Sequence, residues 1–339
     1  MWGKNKILAV IIFVAVFAGC ELGGKFEPPA YTIVYDANGG SGNMDRSSHV
    51  CGTAKNLSAN AFTRNGGIFL GWSKTSGGTV QYADKQNVKN LTTTDGEIIT
   101  LYAVWEPITA IPGANLAAKL AWLSSNAFSN TNYTIEITAD ESIGPQTLYY
   151  TDRTNITITL KGIGSMRTVS LSSNGSIFSV REGVTLILDN NITLQGRNSN
   201  SGYSLVSVYS GGILVMNTGS VVTGNTSSYG GVYVNGTFTM NGGTISGNTS
   251  SSSSGGGGVY VGEGTFNKTN GTIYGYSASD TVNSNTVKDS SGTVVNDRGH
   301  AVYANSSPAK RKETTAGPSV NLSYNYNNGS PVFSGAWDY

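Results

Sequence analysis

A spacing of 28 residues between apolar positions constrains this chain more than any other feature of its sequence. The matched pairs are Ile156 and Val184, Ile158 and Leu186, Leu160 and Leu188, Leu186 and Leu214, and Leu194 and Val222. Between Met216 and Met240 the spacing shortens to 24. A period in the twenties, built from short alternating apolar runs split by Gly and Asn, is typical of one coil of a parallel β-solenoid.

The repeat unit is clearest in residues 236–249 and recurs more loosely in 212–226 and 264–275. In each unit the apolar residues alternate with Thr, Ser and Asn, which predicts that one face of each strand points into a shared core. The Gly-Asn-Thr triplets that begin at Gly224 and Gly247 are suited to turns, since Gly and Asn tolerate positive φ. We expect their Asn side chains to stack and to hydrogen-bond along the solenoid. Length variation is expected in loops such as 250–258.

The first 20 residues have the pattern of an export signal, with a basic start at Lys4 and Lys6 followed by a short apolar run. The run ends Val16-Phe-Ala-Gly-Cys20, which resembles the lipobox of bacterial lipoproteins, although Phe17 departs from the usual Leu. The resemblance implies that Cys20 is acylated, that it anchors the protein in a membrane, and that residues 21–30 are a flexible tether. A plain signal peptide or an uncleaved anchor is the alternative.

Charge and cysteine content exclude several classes of function. The formal net charge of +1 becomes −1 without Lys4 and Lys6, so the chain has no electrostatic footprint for nucleic acid. Apart from Cys20 the only cysteine is Cys51, so an acylated Cys20 leaves no pair for an intramolecular disulfide. No basic motif surrounds Cys51, which favours a small buried hydrophobe over a reactive thiol.

Residues 31–107 differ in pattern from the 28-residue repeats, because they carry large aromatic residues in short strand-like runs. The informative runs are 31–40 (YTIVYDANGG), 57–64 (LSANAFTR), 69–72 (FLGW), 82–84 (YAD) and 101–105 (LYAVW). In order and spacing they resemble the internalin-type B repeat, also called the Listeria-Bacteroides repeat, with departures at Cys51 and Gly67. The resemblance implies a small, non-catalytic, β-grasp-like module used in bacterial surface proteins as a spacer or adhesive unit.

Trp72 and Trp105 have two interpretations within this module. They could stack on sugars, or they could fill the core, which a domain of this size needs large side chains to build. The family pattern places a tryptophan at both positions in every repeat, which favours the core.

A linker at 108–113 precedes a β-helix domain at 114–339. The spacing of Leu116, Leu120, Leu123 and Ala127 predicts an amphipathic helix over 114–128, placed to cap the open end of the first coil. Coils are predicted over about 133–303 and a closing segment over 304–339, where aromatic runs flanking Asn-Asn-Gly predict a terminal hairpin. The charged run 308–313 is predicted to be a solvated loop.

The period and composition of residues 133–303 resemble the pectin-lyase-like superfamily of right-handed parallel β-helices. The predicted fold class is therefore all-β: a β-grasp-like module plus a right-handed parallel β-helix with a short N-terminal capping helix. The resemblance is architectural, so the chemistry of that superfamily does not transfer to this chain.

The densest group of chemically active residues is Asp297-Arg298-Gly299-His300, and it is a weak candidate for catalysis. Adjacent residues on a strand point to opposite faces, so the side chains of Asp297, Arg298 and His300 are not expected to project into one active site. With two histidines, no paired cysteines and no phosphate-binding loop, the sequence predicts no metal and no cofactor.

The sequence thus predicts a lipid-anchored protein of the bacterial cell envelope, at the outer membrane or cell surface. We expect it to be adhesive and non-catalytic, with a polysaccharide or a host or cell-surface protein as its partner. A polysaccharide-active lyase or glycoside hydrolase on the β-helix is the alternative.

Overall fold

A computed structural model describes residues 27–64, 66–108, 111–253, 255–296, 298–306, 309–313, 322–327, 330–335 and 337. These residues form an all-β structure with about 4% helix. They fall into two compact units: residues 27–62 with Leu70–Val104 form the first, and Thr63–Phe69 with Trp105 onward form the second.

The first unit is built on a four-stranded sheet with a minor two-stranded sheet beside it. The strands are β1 (Ala30–Asp36), β2 (Ser47–Val50), β3 (Lys55–Asn56), β4 (Gly67–Ser73), β5 (Asn87–Val88) and β6 (Ile98–Pro107). The larger sheet has the order β2-β1-β6-β4, with β1 antiparallel to β2 and parallel to β6. The parallel β1–β6 pair with an antiparallel β2 beside it is compatible with a β-grasp-like module.

The core of this unit is aromatic. Tyr31, Ile33 and Tyr35 alternate along β1 with their side chains buried, as predicted. Trp72 is fully buried and packs against the rings of Tyr35 (4.8 Å between centroids) and Phe62 (6.1 Å). The core interpretation of Trp72 is therefore confirmed.

The second unit is a parallel β-solenoid of about five turns, preceded by helix α1 (Leu116–Asn126). Each coil contributes three strands. The first strands are β7 (Thr131–Ile137), β10 (Ile156–Gly162), β13 (Val184–Leu188), β16 (Ile213–Met216) and the first parts of β20 (Thr237–Ser246) and β23 (Thr265–Ile273). The second strands are β8 (Glu141–Ile143), β11 (Arg167–Leu171), β14 (Ile192–Gln195), β17 (Ser220–Thr223) and the last parts of β20 and β23. The third strands are β9 (Gln146–Leu148), β12 (Phe178–Val180), β15 (Val206–Val208), β19 (Val232–Val234), β22 (Val259–Val261) and β25 (Val302–Ala304).

The register of the coils confirms the spacing found in the sequence. Leu186 lies beside Ile158 on one side and Leu214 on the other, and Met216 lies beside Met240. All five side chains are fully buried and belong to one continuous hydrophobic core. Each 28- or 24-residue interval is thus one complete coil.

Both ends of the solenoid are covered. At the N-terminal end, α1 buries Leu116, Leu120 and Leu123 in the same core as the first coil, and Asn115 caps the helix by accepting a hydrogen bond from Ala118 N (2.9 Å). At the other end, β27 (Leu322–Asn327) pairs antiparallel with β23 and with β28 (Ser330–Ser334). The capping helix and the terminal hairpin are confirmed.

A ladder of four buried asparagines runs through the turn that follows the second strand in the later coils. Asn200 Nδ2 donates to Asn225 Oδ1 (3.0 Å), Asn225 N donates to Asn248 Oδ1 (3.1 Å), and Asn248 Nδ2 donates to Asn285 Oδ1 (3.0 Å). All four side chains are fully buried. Asn225 and Asn248 belong to the two Gly-Asn-Thr triplets, where the preceding Gly224 and Gly247 have positive φ; the predicted stacking is therefore confirmed.

Beyond the second strand, three short strands extend the later coils: β18 (Thr226–Ser227), β21 (Thr249–Ser250) and β24 (Thr286–Val287). Part of the segment 250–258, predicted to be a loop expansion, instead stacks between coils. Gly255–Gly258 are buried, and a Cβ added to Gly257 would lie 2.4 Å from the carbonyl oxygen of His300. Only a residue without a side chain fits this contact.

The charged run 308–313 contains a strand where a solvated loop was predicted. β26 (Lys310–Lys312) pairs antiparallel with β25 and is half-buried. The prediction was wrong because local charge does not reveal an unpaired strand edge: β25 is the last of the third strands, and β26 satisfies its backbone.

Candidate functional site

An open groove of about 730 Å³ lies at the corner of the solenoid where the third strand of one coil turns into the first strand of the next. Its lining is Thr147, Tyr149, Arg181, Glu182, Tyr209, Ser210, Asn235 and Glu263. From β9 to β22 there are four strand spacings, so the groove extends about 19 Å along the solenoid axis.

The backbone beneath the groove is rigidly held. Arg181 N donates to Leu148 O (3.1 Å), Tyr209 N to Val180 O (2.9 Å) and Asn235 N to Val208 O (2.7 Å). These bonds continue the parallel ladder of the third strands into the turn. The positions occupied by Tyr149, Arg181, Tyr209 and Asn235 are therefore stacked in one column along the axis.

Contacts among the side chains fix the shape of the groove. The guanidinium of Arg181 lies over the ring of Tyr209, 4.5 Å from its centroid. Glu182 crosses Gly211 so closely that a Cβ there would lie 2.8 Å from Glu182 Cγ. Asn235 Oδ1 accepts a hydrogen bond from Glu263 N (3.1 Å). By contrast, about half of the Tyr149 surface is open, with 51% of the residue exposed.

A stack of tyrosines continues this surface toward the last coils. Tyr233, Tyr260 and Tyr303 share one register position of β19, β22 and β25, and their rings stack at 5.6 and 5.8 Å between centroids. Tyr229 packs against the first two rings. Burial raises the pKa of Tyr260 to about 12 and raises that of Tyr233, so both phenols are neutral at physiological pH.

The residues predicted as weak catalytic candidates are not in this groove. Asp297 lies outside the described residues. Arg298 is half-buried, and His300 is 3% exposed, with its Nδ1 accepting a hydrogen bond from Val287 N (2.9 Å). Burial lowers the pKa of His300, so the imidazole is a neutral acceptor inside the fold. Its geometry is that of a structural side chain.

The other predicted sites have mixed outcomes. Cys20 and the export signal lie outside the described residues. Cys51 is a free, half-buried thiol whose Sγ contacts Thr92 O at 3.4 Å, and Trp105 is half-buried with its ring edge-to-face on Phe69. Neither contact tests whether Cys51 is reactive or whether Trp105 binds sugar. The interpretations of Cys51 as an unreactive residue and of Trp105 as a core residue therefore remain predictions.

In the part of the chain that the structure describes, no helix is both long and apolar enough to cross a membrane. Within the same residues, no three His, Cys, Asp or Glu side chains are grouped so that they could hold a metal ion.

Sequence reasoning missed the groove, although a signal for it exists. Tyr149, Arg181 and Tyr209 each follow the last residue of a third strand, but those strands are only three residues long and their spacing is uneven. It also missed Lys268, which is fully buried at the core position that Met216 and Met240 occupy in earlier coils. Burial lowers the pKa of the Lys268 amine.

The two carboxylates in the lining of the groove belong to different coils of the solenoid. Glu182 and Glu263 are separated by three strand spacings, about 14 Å between their backbones.

Comparison with known proteins identifies one part of the chain. The family model of the Listeria-Bacteroides repeat domain matches residues 31–104, which coincide with the aromatic module. Neither a search of curated proteins nor a search of solved structures found a match. Residues 31–104 are thus a Listeria-Bacteroides repeat domain, and the same chain continues into a parallel β-solenoid of about five turns.

Proposed function

We propose that this protein is a lipid-anchored component of the bacterial cell envelope, exposed at the outer membrane or cell surface, whose solenoid binds an extended partner without transforming it. In this proposal Cys20 carries the lipid and residues 21–30 are the tether. The β-helix belongs to the pectin-lyase-like architecture and acts as an adhesive arm that presents a binding surface to polysaccharide or protein.

The observation that carries the proposal is the open groove on a rigid backbone ladder. Its side chains offer ring surface, hydroxyls, an amide, a guanidinium and carboxylates along about 19 Å. Because the backbone is already hydrogen-bonded between coils, these side chains are preorganised, which reduces the entropic cost of binding. The repeat domain supports a surface role, since the module is of a kind used in surface proteins.

The location is tested by brief protease treatment of intact cells, followed by detection of the solenoid with an antibody. We expect the solenoid to be clipped while periplasmic controls survive. A Cys20→Ser variant should leave the membrane fraction. A solenoid that resists protease until cells are broken would contradict surface exposure, and membrane retention of the variant would contradict the lipid anchor.

The binding function is tested with the purified full chain against panels of polysaccharides and extracellular proteins. Bound polysaccharide is then analysed for new reducing or unsaturated ends. We expect retention without new ends. Release of such ends in amounts that grow with time would establish an enzyme instead, and failure to retain any member of either panel would remove the binding function.

A further inference from the structure

The charge and the functional groups of the groove limit the class of ligand that it can bind. The lining of the groove contains two carboxylates, Glu182 and Glu263, and one guanidinium, Arg181, so the groove carries a formal charge of −1. All three side chains are exposed. A polymer with a carboxylate on every sugar would bring repulsion at two points and attraction at one, and the attraction is shared with the Tyr209 ring.

The backbone at the groove cannot recognise a peptide by strand addition. That mode needs unpaired N–H and C=O groups at a sheet edge. Here the amides of Arg181, Tyr209 and Asn235 are committed to the preceding coil. Recognition falls to side chains whose donors and acceptors are hydroxyl, amide and carboxylate groups, which match a ligand rich in hydroxyls.

The aromatic positions give the ligand a direction. Tyr149 and Tyr209 occupy the same column of the third-strand corner, two strand spacings apart, which is about 10 Å along the axis. Arg181 lies between them in the column. An extended chain lying parallel to the axis would meet both rings in turn, with polar side chains on either side.

We propose that this groove binds an uncharged, extended polysaccharide lying parallel to the solenoid axis, with Tyr149 and Tyr209 as its apolar contacts. The inference rests on the proposed binding function and adds the site, the ligand's charge class and its orientation. The ring of Tyr149 supplies the larger free apolar area, and Glu182, Ser210 and Asn235 supply hydrogen bonds to sugar hydroxyls.

The test is isothermal titration calorimetry on the full chain in detergent, with cellohexaose and laminarihexaose as neutral probes and hexagalacturonate as the acidic probe. A neutral probe should bind, and Tyr149→Ala should weaken it about three- to tenfold, the loss expected for one aromatic contact. Tyr203→Ala is the matched control, since Tyr203 is also 51% exposed but lies outside the groove lining. It should leave affinity within about twofold, a change near the precision of such measurements.

A second variant tests the charge argument directly. Replacing Glu182 and Glu263 together with Gln keeps the side-chain shape and one acceptor oxygen at each position but makes the groove charge +1. We expect the affinity of this variant for hexagalacturonate, relative to its affinity for the neutral probe, to rise at least about tenfold, which corresponds to removing roughly 1.4 kcal/mol of repulsion. Circular dichroism checks that each variant is folded.

The possible failures are distinguishable. If wild-type protein binds a panel polysaccharide but Tyr149→Ala and Tyr203→Ala weaken it equally, the groove is not the site, while the binding function stands. If hexagalacturonate binds more tightly than both neutral probes, the charge class is wrong. If the protein binds only a protein from the panel, through this groove, the ligand class is wrong.

Discussion

The repeat domain and the solenoid solve the same problem, burying apolar surface in a β protein with 12% charged residues, in opposite ways. The repeat domain has one centre, Trp72, against which the rings of Tyr35 and Phe62 pack. In the solenoid, the same few aliphatic positions recur coil after coil, and no single residue is central. The first core is concentrated and the second is distributed.

This difference predicts different responses to damage. A concentrated core in a small domain fails as a whole, since one side chain contributes a large share of a stability of only about 5 to 15 kcal/mol. A distributed core fails locally, because each coil contacts only its neighbours.

Replacing Trp72 with Ala should destabilise the repeat domain by about 3–5 kcal/mol, the usual cost of removing a buried aromatic side chain. Hydrogen exchange should then show lost protection throughout residues 31–104 and unchanged protection in the solenoid coils. Ile98→Ala is the control in the same domain, because Ile98 is 61% exposed. Loss of protection restricted to the strand that carries residue 72 would argue against a single concentrated core.

Replacing Leu186 with Ala should cost about 2–5 kcal/mol, yet the loss of protection should be confined to its own coil and the two coils that contain Ile158 and Leu214. Thr185→Ala, one residue earlier on the outward face, is the matched control. Uniform loss of protection from the first coil to the last would show that the solenoid unfolds as one cooperative body and would break the comparison.

Replacing Asn248 with Ala should cost about 1–3 kcal/mol by leaving buried partners without hydrogen bonds. The main affected group is Asn225 N, which donates to Asn248 Oδ1. Asn285 Oδ1 loses the bond from Asn248 Nδ2 and keeps the bond from the backbone N of residue 248. Thermal unfolding measures the change, with Asn190→Ala at an exposed turn of the same solenoid as the control. Equal melting temperatures for the two variants would mean that the ladder contributes nothing to stability.

The smallest effect is expected from acid, and it should touch both regions. Each has one buried histidine, His49 and His300, and burial lowers the pKa of both imidazoles. A lowered folded pKa means that the contribution to stability is present above the unfolded value of about 6.5 and is lost as pH falls through the folded value. Unfolding free energy should therefore decline below about pH 6.5.

The two histidines can be separated by following their ring signals in NMR during a pH titration. His300→Gln should flatten the decline of solenoid stability at low pH and leave that of the repeat domain unchanged. An imidazole of either residue that titrates at its ordinary pKa would contradict the burial argument for that region.

The solenoid was predictable because its inward positions repeat strictly. Apolar residues alternate with threonine at Ile156, Ile158 and Leu160, and the same inward positions return one coil later. The asparagine ladder followed from the triplets at Gly224 and Gly247 for the same reason. Because coils stack in register, residues that are one repeat apart in the sequence become direct neighbours in the structure.

The groove was harder to predict because its residues face outward, where no core enforces a pattern. Tyr149, Arg181 and Tyr209 share one column but not one chemical type. Lys268 was missed for the opposite reason, since a charged residue at an inward position breaks the apolar repeat that was used to find such positions. The strand β26 could not be predicted from its own residues, because it forms by pairing with the free edge of β25. That edge exists only once the fold has formed.

Because each end of the solenoid has its own cover, the number of coils between the covers can change without altering either end. Helix α1 packs on the first coils, and the hairpin β27–β28 joins the sheet at β23. A coil gained or lost by duplication or deletion between them would leave both terminating surfaces unchanged. It would lengthen or shorten the outward-facing column by about 4.8 Å at a time. Under the proposed binding function, the length of the binding surface could change in steps of one coil while the rest of the fold stays the same.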